Sequence, residues 1–444
     1  MARYTKEMIL QMAEDEDVEF IRLQFTDMFG TLRNMAITSS QLEKALNNEC
    51  MFDGSAIEGF ARTEEMEMFL YPDLDSFVIL PWRPQQGKVA RLLCDVYNPD
   101  GTPSEECSRV ILKKVLKEAH DMGFNFIAGP ECEFFLFHTD DDGLPTTTTH
   151  DRAGYFDLGP KDLGENARRD MVLTLEEMGF EVESSYHEIA PGQHEIDFHQ
   201  CQGMEAADSL MTFKFAVRTI AKRHGLHATF MPKPTTGVHG SGLHLNCKLT
   251  DMLGKNMFFD EEDENGLSKT AYYFLGGVLK HIKGMTLINN PLVNSYKRLV
   301  PGYEAPVHVA WSTKNRSPLI RIPAMRGNRT KLELRSPDPA ANPYLVIACT
   351  LAAGLDGIKN QIMPPAAVEE NIDAMSLEEK KERKIDLLPS TLDEAITEFM
   401  KDEFIQQVLG DRFSTRYVQA KKEEWEEYIP QVSNWEVEKY LHRI

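Results

Sequence analysis

The run Phe126-Ile127-Ala128-Gly129-Pro130-Glu131-Cys132-Glu133-Phe134-Phe135-Leu136-Phe137 sets two carboxylates inside an otherwise apolar, strand-like stretch. Residues two apart on a strand share a face, so Glu131 and Glu133 point the same way. Two like charges on a buried face are costly unless a cation lies between them. Four more candidate ligands follow among apolar neighbours: Glu188, Glu195, His244 and Glu333. Arg298, Arg316, Arg321 and Arg335 are interspersed with the later ones. Five carboxylates and one imidazole suit two hard cations, Mg2+ or Mn2+, better than zinc, which prefers nitrogen and sulfur. Arginine matches phosphate or carboxylate in bidentate fashion. The chain carries neither a GxxxxGKS/T phosphate loop nor a protein-kinase HRD or DFG set. If it uses ATP, ions and arginines must hold the triphosphate. The residues alone reach metal-dependent phosphoryl transfer onto a small acidic substrate and leave that substrate unnamed.

Each motif also has a plainer reading. Glu131 and Glu133 could end a strand and reach water. Glu188 and Glu195 flank a Pro191-Gly192 turn and could form a polar hairpin, although such a turn also lets the two acids converge. His244 follows the glycine-rich Gly237-Val238-His239-Gly240-Ser241-Gly242, where backbone amides approach an anion; a lone histidine is otherwise structural. Asn294 to Pro306, with Lys297, Arg298 and Glu304, suits a mobile flap over a carboxylate substrate or an ordinary surface turn. Glu333 and Arg335 share a strand face and could simply pair with each other.

The formal net charge of -22 argues against a nucleic-acid partner and against an anionic membrane surface. Acidic substrates must therefore be drawn by local positive patches. Hydrophobic residues at 42% and charged residues at 27% are an ordinary globular balance, and 444 residues imply at least two domains. Seven cysteines without a CxxC pair point to free thiols and a reducing, cytoplasmic setting. Residues 1–20 read as an acidic helix rather than a signal segment. The longest apolar run, Tyr344 to Leu355, is too short to span a bilayer and reads as a core helix.

Strand-like alternation runs through Val18 to Phe25, Phe77 to Leu80 and Val89 to Val96, and Asn98 to Pro103 reads as a linker. Ser108 is a candidate cap for a helix to His120. Strands are then expected at 124–137, 243–249 and 331–334, and helices at 162–178, 206–224 and 266–283. Asn342-Pro343 opens a helix to Ile358, and charged amphipathic helix fills the last hundred residues. The expectation is an α/β or α+β enzyme with a small β-rich N-terminal domain.

Met51-Phe-Asp-Gly-Ser-Ala-Ile-Glu-Gly-Phe60, Gly129-Pro-Glu-Cys-Glu-Phe134, Ala190-Pro-Gly-Gln-His-Glu195, the 233–244 loop, 294–306, Asn315-Arg-Ser-Pro318 and Arg335-Ser-Pro-Asp-Pro-Ala-Ala-Asn-Pro-Tyr344 together resemble bacterial type I glutamine synthetases. The resemblance covers essentially the whole chain. It implies an α+β fold: an N-terminal β-grasp domain, residues 1–103, followed by a catalytic domain, residues 104–444, with a curved antiparallel sheet. It implies a homododecamer of two stacked hexameric rings, with active sites between neighbours. The implied activity is ATP-dependent synthesis of glutamine from glutamate and ammonium through γ-glutamyl phosphate, with two or more divalent ions per site.

Residue by residue, the resemblance makes Glu133, Glu188 and Glu195 the ligands of one ion, and Glu131, His244 and Glu333 those of the other. Arg298 and Arg335 match the arginines on the glutamate carboxylate and the transferring phosphoryl group, with Gly240 at the amino acid. Arg316, Arg321 and Lys331 fall at nucleotide contacts, and Glu304 is the flap acid. Asp53, given in trans, and Tyr155 fall at the ammonium site. The chain departs from the family's usual pattern at Ala56, His239, Lys248 and Lys331, all at ammonia or nucleotide contacts. It lacks the adenylylation segment of the longer subtype and so resembles the shorter, feedback-inhibited alpha subtype. There Arg62 matches a residue linked to glutamine inhibition, or forms a rim salt bridge with Glu64 or Glu65. Two alternatives stay open: glutamylation of another small amine, and a non-catalytic nitrogen sensor, for which metal ligands would be lost. A transcription-factor partner in addition to catalysis is compatible with the acidic C-terminal helices.

Overall fold

A computed structural model describes residues 3–57, 67–83, 86–315 and 318–444. Arg62 and Arg316 lie outside the described residues.

The N-terminal part is a sheet backed by short helices. It comprises α1 (Lys6–Asp15), β1 (Val18–Thr26), β2 (Leu32–Thr38), α2 (Leu42–Leu46), β3 (Cys50–Asp53), β4 (Glu67–Pro72), β5 (Val78–Ile79) and β6 (Lys88–Tyr97). The strand order is β2-β1-β6-β4-β3, with β5 also on β6. The β1–β6 pair is parallel and the other pairs are antiparallel. Ile9 of α1 packs with Ile21, Leu23, Leu70, Leu92 and Val96 to form this core. The N-terminal helix is shorter than its acidic pattern implies, because Asp17 takes a left-handed φ of 55° and turns the chain into β1. The expected strand at Phe77 to Leu80 contracts to two residues, since Leu74–Ser76 is a helical turn.

The Asn98–Pro103 stretch is a tight turn. Asn98 N donates to Thr102 O at 2.8 Å, and the Asp100 carboxylate accepts from the Thr102 amide and hydroxyl. Ser108 does not cap the next helix, α3 (Ser108–Asp121): Cys107 holds the cap position, and Ser108 is the first helical residue. Arg109 of α3 stitches the two halves together. It pairs with Asp73 at 2.6 Å and Asp95 at 2.8 Å on the N-terminal side, and with Asp208 at 2.8 Å on the other.

Downstream lie β7 (Asn125–Thr139), β8 (Pro145–Thr149), α4 (Glu165–Glu177), β9 (Val182–His187), β10 (Gln193–Phe198), β11 (Cys201–Gln202), α5 (Gly203–Arg223), β12 (Leu226–Thr229) and β13 (Leu243–Thr250). Then come α6 (Lys269–Asn289), α7 (Ser295–Arg298), β14 (His308–Val309), β15 (Trp311–Ser312), β16 (Ile320–Arg321), β17 (Leu332–Leu334) and α8 (Pro343–Lys359). The larger sheet runs β15-β16-β17-β13-β7-β10-β9, and β8, β11 and β12 also pair with β7. It is antiparallel except for the β15–β16 pair. Strand β7 is therefore the spine. Its even-numbered side chains, Phe126, Ala128, Cys132, Phe134 and Leu136, are buried in the core. Its odd-numbered Glu131 and Glu133 emerge on the other face, as period two requires.

Behind the sheet, α8 opens as expected: Asn342 caps it by accepting from Tyr344 N, with Pro343 at the first turn. The apolar run Tyr344–Leu355 is wholly buried. Helices α6 and α8 cross where Gly277 meets Gly357. A Cβ on Gly277 would lie 2.1 Å from the Ala353 carbonyl oxygen, so the backbones touch and only glycine fits. After α8 the chain holds five further α-helices (Leu377–Glu382, Leu392–Lys401, Glu403–Leu409, Asp411–Tyr428 and Asn434–Tyr440) rather than one run. Among the described residues no helix is long and apolar enough to cross a membrane.

Candidate active site

Strand register assembles the site. Across the β7–β13 ladder His244 faces Glu131, and across β7–β10 Glu195 faces Glu133. On β17 Glu333 faces Asn246, two residues beyond His244, and Arg321 of β16 faces Glu333. All of these side chains stand on one face of the sheet, because cross-strand partners and next-but-one neighbours share a face. The hairpin turn after β9 adds Glu188.

Two triads result. The ligand atoms of Glu133, Glu188 and Glu195 lie within 4.8 Å of one another, as do those of Glu131, His244 and Glu333. Both line a cavity of about 360 Å³ with Tyr155, Arg298 and Glu304.

The all-acid triad is electrostatically strained. Burial, and then the neighbouring Glu188, push the Glu133 carboxyl up to about 8. Burial, and then Glu133, hold Glu195 well above the usual carboxylate range. Burial raises Glu188 as well. Glu133 Oε2 accepts from the Gly242 amide and from Gln193 Nε2, each at 2.8 Å, and Glu188 Oε2 accepts from Ile189 N at 3.0 Å. These bonds aim the oxygens without supplying a cation. Three hard oxygen donors in mutual repulsion fit a divalent ion of the Mg2+ or Mn2+ kind.

The second triad is compensated. Arg321 Nη1 lies 2.8 Å from Glu333 Oε2, and Arg335 Nε lies 3.2 Å from Glu333 Oε1. The internal Glu333–Arg335 pair left open by the sequence is thus present, within the larger cluster. Burial first, then Arg335, push His244 down to about 3, so its ring is neutral and able to ligate. His244 Nδ1 stands 3.6 Å from Glu131 and 3.7 Å from Glu333, too far for good hydrogen bonds and compatible with an ion between them. Asn246 Nδ2 donates to Glu131 Oε1 at 2.6 Å. Burial raises the Glu131 carboxyl, and Lys331 is the foremost opposing influence.

Arg298 ends α7 and is buried at the cavity wall. It donates to the Ser336 carbonyl at 2.8 Å and the Arg335 carbonyl at 3.1 Å. The glycine loop presses against it: a Cβ on Gly242 would meet Arg298 Nη2 at 2.7 Å, and one on Gly240 would meet the Pro232 carbonyl oxygen at 2.3 Å. Glu304 sits in the flap with φ of 56°, a conformation rare for a glutamate. The flap is tied to the glycine loop through Tyr303, whose ring faces Lys233 Nζ at 3.9 Å and meets His239 edge-on. Tyr155 stands at the mouth, stacked on Phe156 at 4.2 Å.

Asp53 ends β3 on the N-terminal sheet, exposed, and the described residues of the cavity wall do not include it. Its carboxylate accepts from the Ser55 hydroxyl at 2.6 Å and the Ser55 amide at 2.8 Å, which hold it below the usual range. Lys331 precedes β17 and also stays off the wall. Tyr186 and Asn246 lie outside the sequence motifs, while Gln193 and Tyr303 lie inside the 190–195 and 294–306 motifs without a role of their own there. Three lie two positions from a ligand (Tyr186 from Glu188, Gln193 from Glu195, Asn246 from His244), so the strand period alone could have found them. Tyr303 is marked only by its place beside Glu304 in the flap segment.

The fold and site define a class: proteins that set two clusters of metal-type donors and several arginines on one face of a largely antiparallel sheet. The comparisons make this specific. The profile described as "Glutamine synthetase, catalytic domain" matches residues 105–440, and "Glutamine synthetase, beta-Grasp domain" matches residues 17–99. The glutamine synthetase of Clostridium saccharobutylicum is 61% identical over 443 residues, covering 100% of both chains. That of Staphylococcus aureus is 56% identical over 440 residues, covering 99% of this chain and 98% of its own. Two solved structures, titled "GmaS/ADP complex-Conformation 1" and "Apo GmaS without ligand", superpose with TM-scores of 0.88 and 0.87. Each is 33% identical; they cover 97% and 98% of this chain and 99% of their own. The chain belongs to the glutamine synthetase family. It is an ATP-dependent ligase, and the family's use of ATP and divalent metals accords with its two triads.

Proposed function

We propose that this chain joins ammonium to glutamate, consuming ATP and releasing ADP and phosphate, with γ-glutamyl phosphate as the intermediate. The observation that carries this reading is the pair of triads on one sheet face, with Arg298, Arg321 and Arg335 beside them. Glu133, Glu188 and Glu195 would hold one ion and Glu131, His244 and Glu333 the other. Magnesium or manganese suits both donor sets. When bound, the ions would offset charge on the transferring phosphoryl group.

The protein's own groups do the rest. Arg321, with Arg316 and Lys331, holds the nucleotide phosphates. Arg335 faces the phosphoryl group, and Arg298 with the Gly240 backbone holds the glutamate. A carboxylate is a poor electrophile, and phosphorylation supplies its leaving group. Ammonium must then lose a proton before it attacks, which Asp53 of a neighbouring subunit, near Tyr155, assists. Glu304 and its flap close over the acyl phosphate and keep water out. The chain divides functionally into residues 1–103 and 104–444, and it acts in the cytoplasm as a dodecamer of two stacked hexamers. Glutamine feeds back through Arg62; inhibition unchanged in Arg62→Ala would count against that role.

The decisive test measures phosphate release from ATP with Mg2+ and glutamate, with and without ammonium, while following glutamine by mass. Ammonium-dependent release matched by glutamine is the expected result. Glutamate-dependent release without glutamine would mean another amine, and no turnover in assembled protein would overturn the reading. Mixing inactive Asp53→Ala with inactive Glu195→Gln tests the shared site, because hybrid assemblies should regain activity.

A further inference from the structure

Beside the all-acid triad lies a second buried cluster: Asp151, Asp162, His187 and His194 bring ligand-type atoms within 4.8 Å of one another. It does not need an ion. Arg168 Nη1 lies 2.8 Å from Asp162 Oδ2 and 2.9 Å from His194 Nδ1. The His187 ring faces two acceptors, Glu188 O at 2.6 Å and Asp151 Oδ1 at 2.9 Å, so it carries both protons. Two carboxylates are thus matched by Arg168 and a charged His187.

The geometry shows what this cluster holds. Asp151 Oδ1 accepts from His187 Nε2, from Gly192 N at 3.0 Å and from Ala153 N at 3.3 Å; Oδ2 accepts from Leu163 N at 3.2 Å. His187 closes β9 and Gly192 directly precedes β10, so one carboxylate grips both sides of the hairpin turn. His187 then holds the backbone carbonyl of Glu188, while Glu188 N donates to Gln193 O at 2.8 Å. The turn also lies hard against β7: a Cβ on Gly192 would sit 2.9 Å from the Leu136 carbonyl oxygen. On the β10 side, the His194 ring meets His187 edge-on at 4.8 Å, and its neighbour in sequence is Glu195.

We propose that Asp151 is a positioning residue for the Glu133/Glu188/Glu195 ion. It acts through His187 and Gly192 to set where Glu188 and Glu195 stand relative to Glu133. This rests on the reading of that triad as an ion site. Outer groups that orient metal ligands commonly govern affinity by about 10- to 100-fold. The other triad draws its ligands from β7, β13 and β17, whereas among the described residues the Asp151 carboxylate bonds to Ala153, Leu163, His187 and Gly192.

Mn2+ titration of the full-length protein without substrates, followed by electron paramagnetic resonance, tests the proposal. Wild type should show two classes of bound Mn2+. Glu195→Gln should lose one class; if both survive, the ion-site reading falls and the proposal with it. Asp151→Asn keeps the acceptor for His187 and Gly192 but loses the charge and places an amide against Leu163 N–H. It should weaken the class lost in Glu195→Gln by about tenfold or more and leave the other unchanged. In turnover, its half-saturating Mn2+ should rise while kcat recovers at high Mn2+, which a general loosening of the fold would not produce. Asp151→Ala should show a larger shift of the same kind. Wild-type titration by Asp151→Asn, or equal weakening of both classes, would overturn the proposal.

Discussion

The two triads share one sheet face but solve the same electrostatic problem differently. Glu131/His244/Glu333 contains a neutral imidazole and two arginines bonded to Glu333. Glu133/Glu188/Glu195 consists of acids alone: amides donate to Glu133 and Glu188, and Glu195 is hydrogen-bonded to Tyr186 and to neighbouring carboxyls rather than to a cation. One triad is nearly balanced before any ion arrives, whereas the other carries the repulsion until one does.

The sharpest way to break the comparison is to remove a ligand from the acid triad. Glu195→Gln should lose that ion and cut turnover by more than the ~100-fold upper figure for orienting residues, read by Mn2+ binding and phosphate release. Next comes Arg321→Ala. Losing a charge-assisted contact worth about 1.5–3 kcal/mol should raise the KM for ATP by roughly 10- to 100-fold, with Mn2+ binding at the acid triad of the free protein unchanged.

A third prediction concerns pH. In the empty acid triad Glu133 holds its proton below about 8, and an incoming ion must displace it. Glu195 is also held well above the usual carboxylate range, so affinity at that triad should rise with pH, by up to about tenfold per unit for each proton displaced. His244, held at about 3, is already neutral and adds no such slope to the other triad. A calorimetric titration in buffers of different ionisation enthalpy would count the protons released. The smallest effect belongs to Lys248, which is half-buried and donates to the Asn328 carbonyl at 2.8 Å. Lys248→Ala should change stability by no more than about 0.5 kcal/mol in thermal unfolding and leave both ions in place.

Much of the site was legible because the strand period is strict. Glu131 and Glu133 had to share a face, and the Pro191-Gly192 turn had to bring Glu188 and Glu195 near each other. The core helix from Asn342-Pro343 was equally legible, since a cap, a first-turn proline and an unbroken apolar run agree. Ser108 misled because a serine before an apolar run looks like a cap, and only the chain path shows that Cys107 holds that place. Asp151 gave no sign at all, because its partners at Gly192, Leu163 and His187 are backbone amides and a ring from distant segments.

The sequence by itself marked which residues are candidate donors and, on the strands, which of them share a face, because those follow from residue type and a two-residue period. The division of six candidate donors into two triads, which only the family resemblance implied beforehand, is made physically by the tertiary structure. That division depends on which strands lie beside β7 and in what register, and a shift of one residue would turn the ligands into the core. It also decided the charge of each triad, because burial and the approach of Arg321 and Arg335 are properties of the assembled sheet rather than of any one segment.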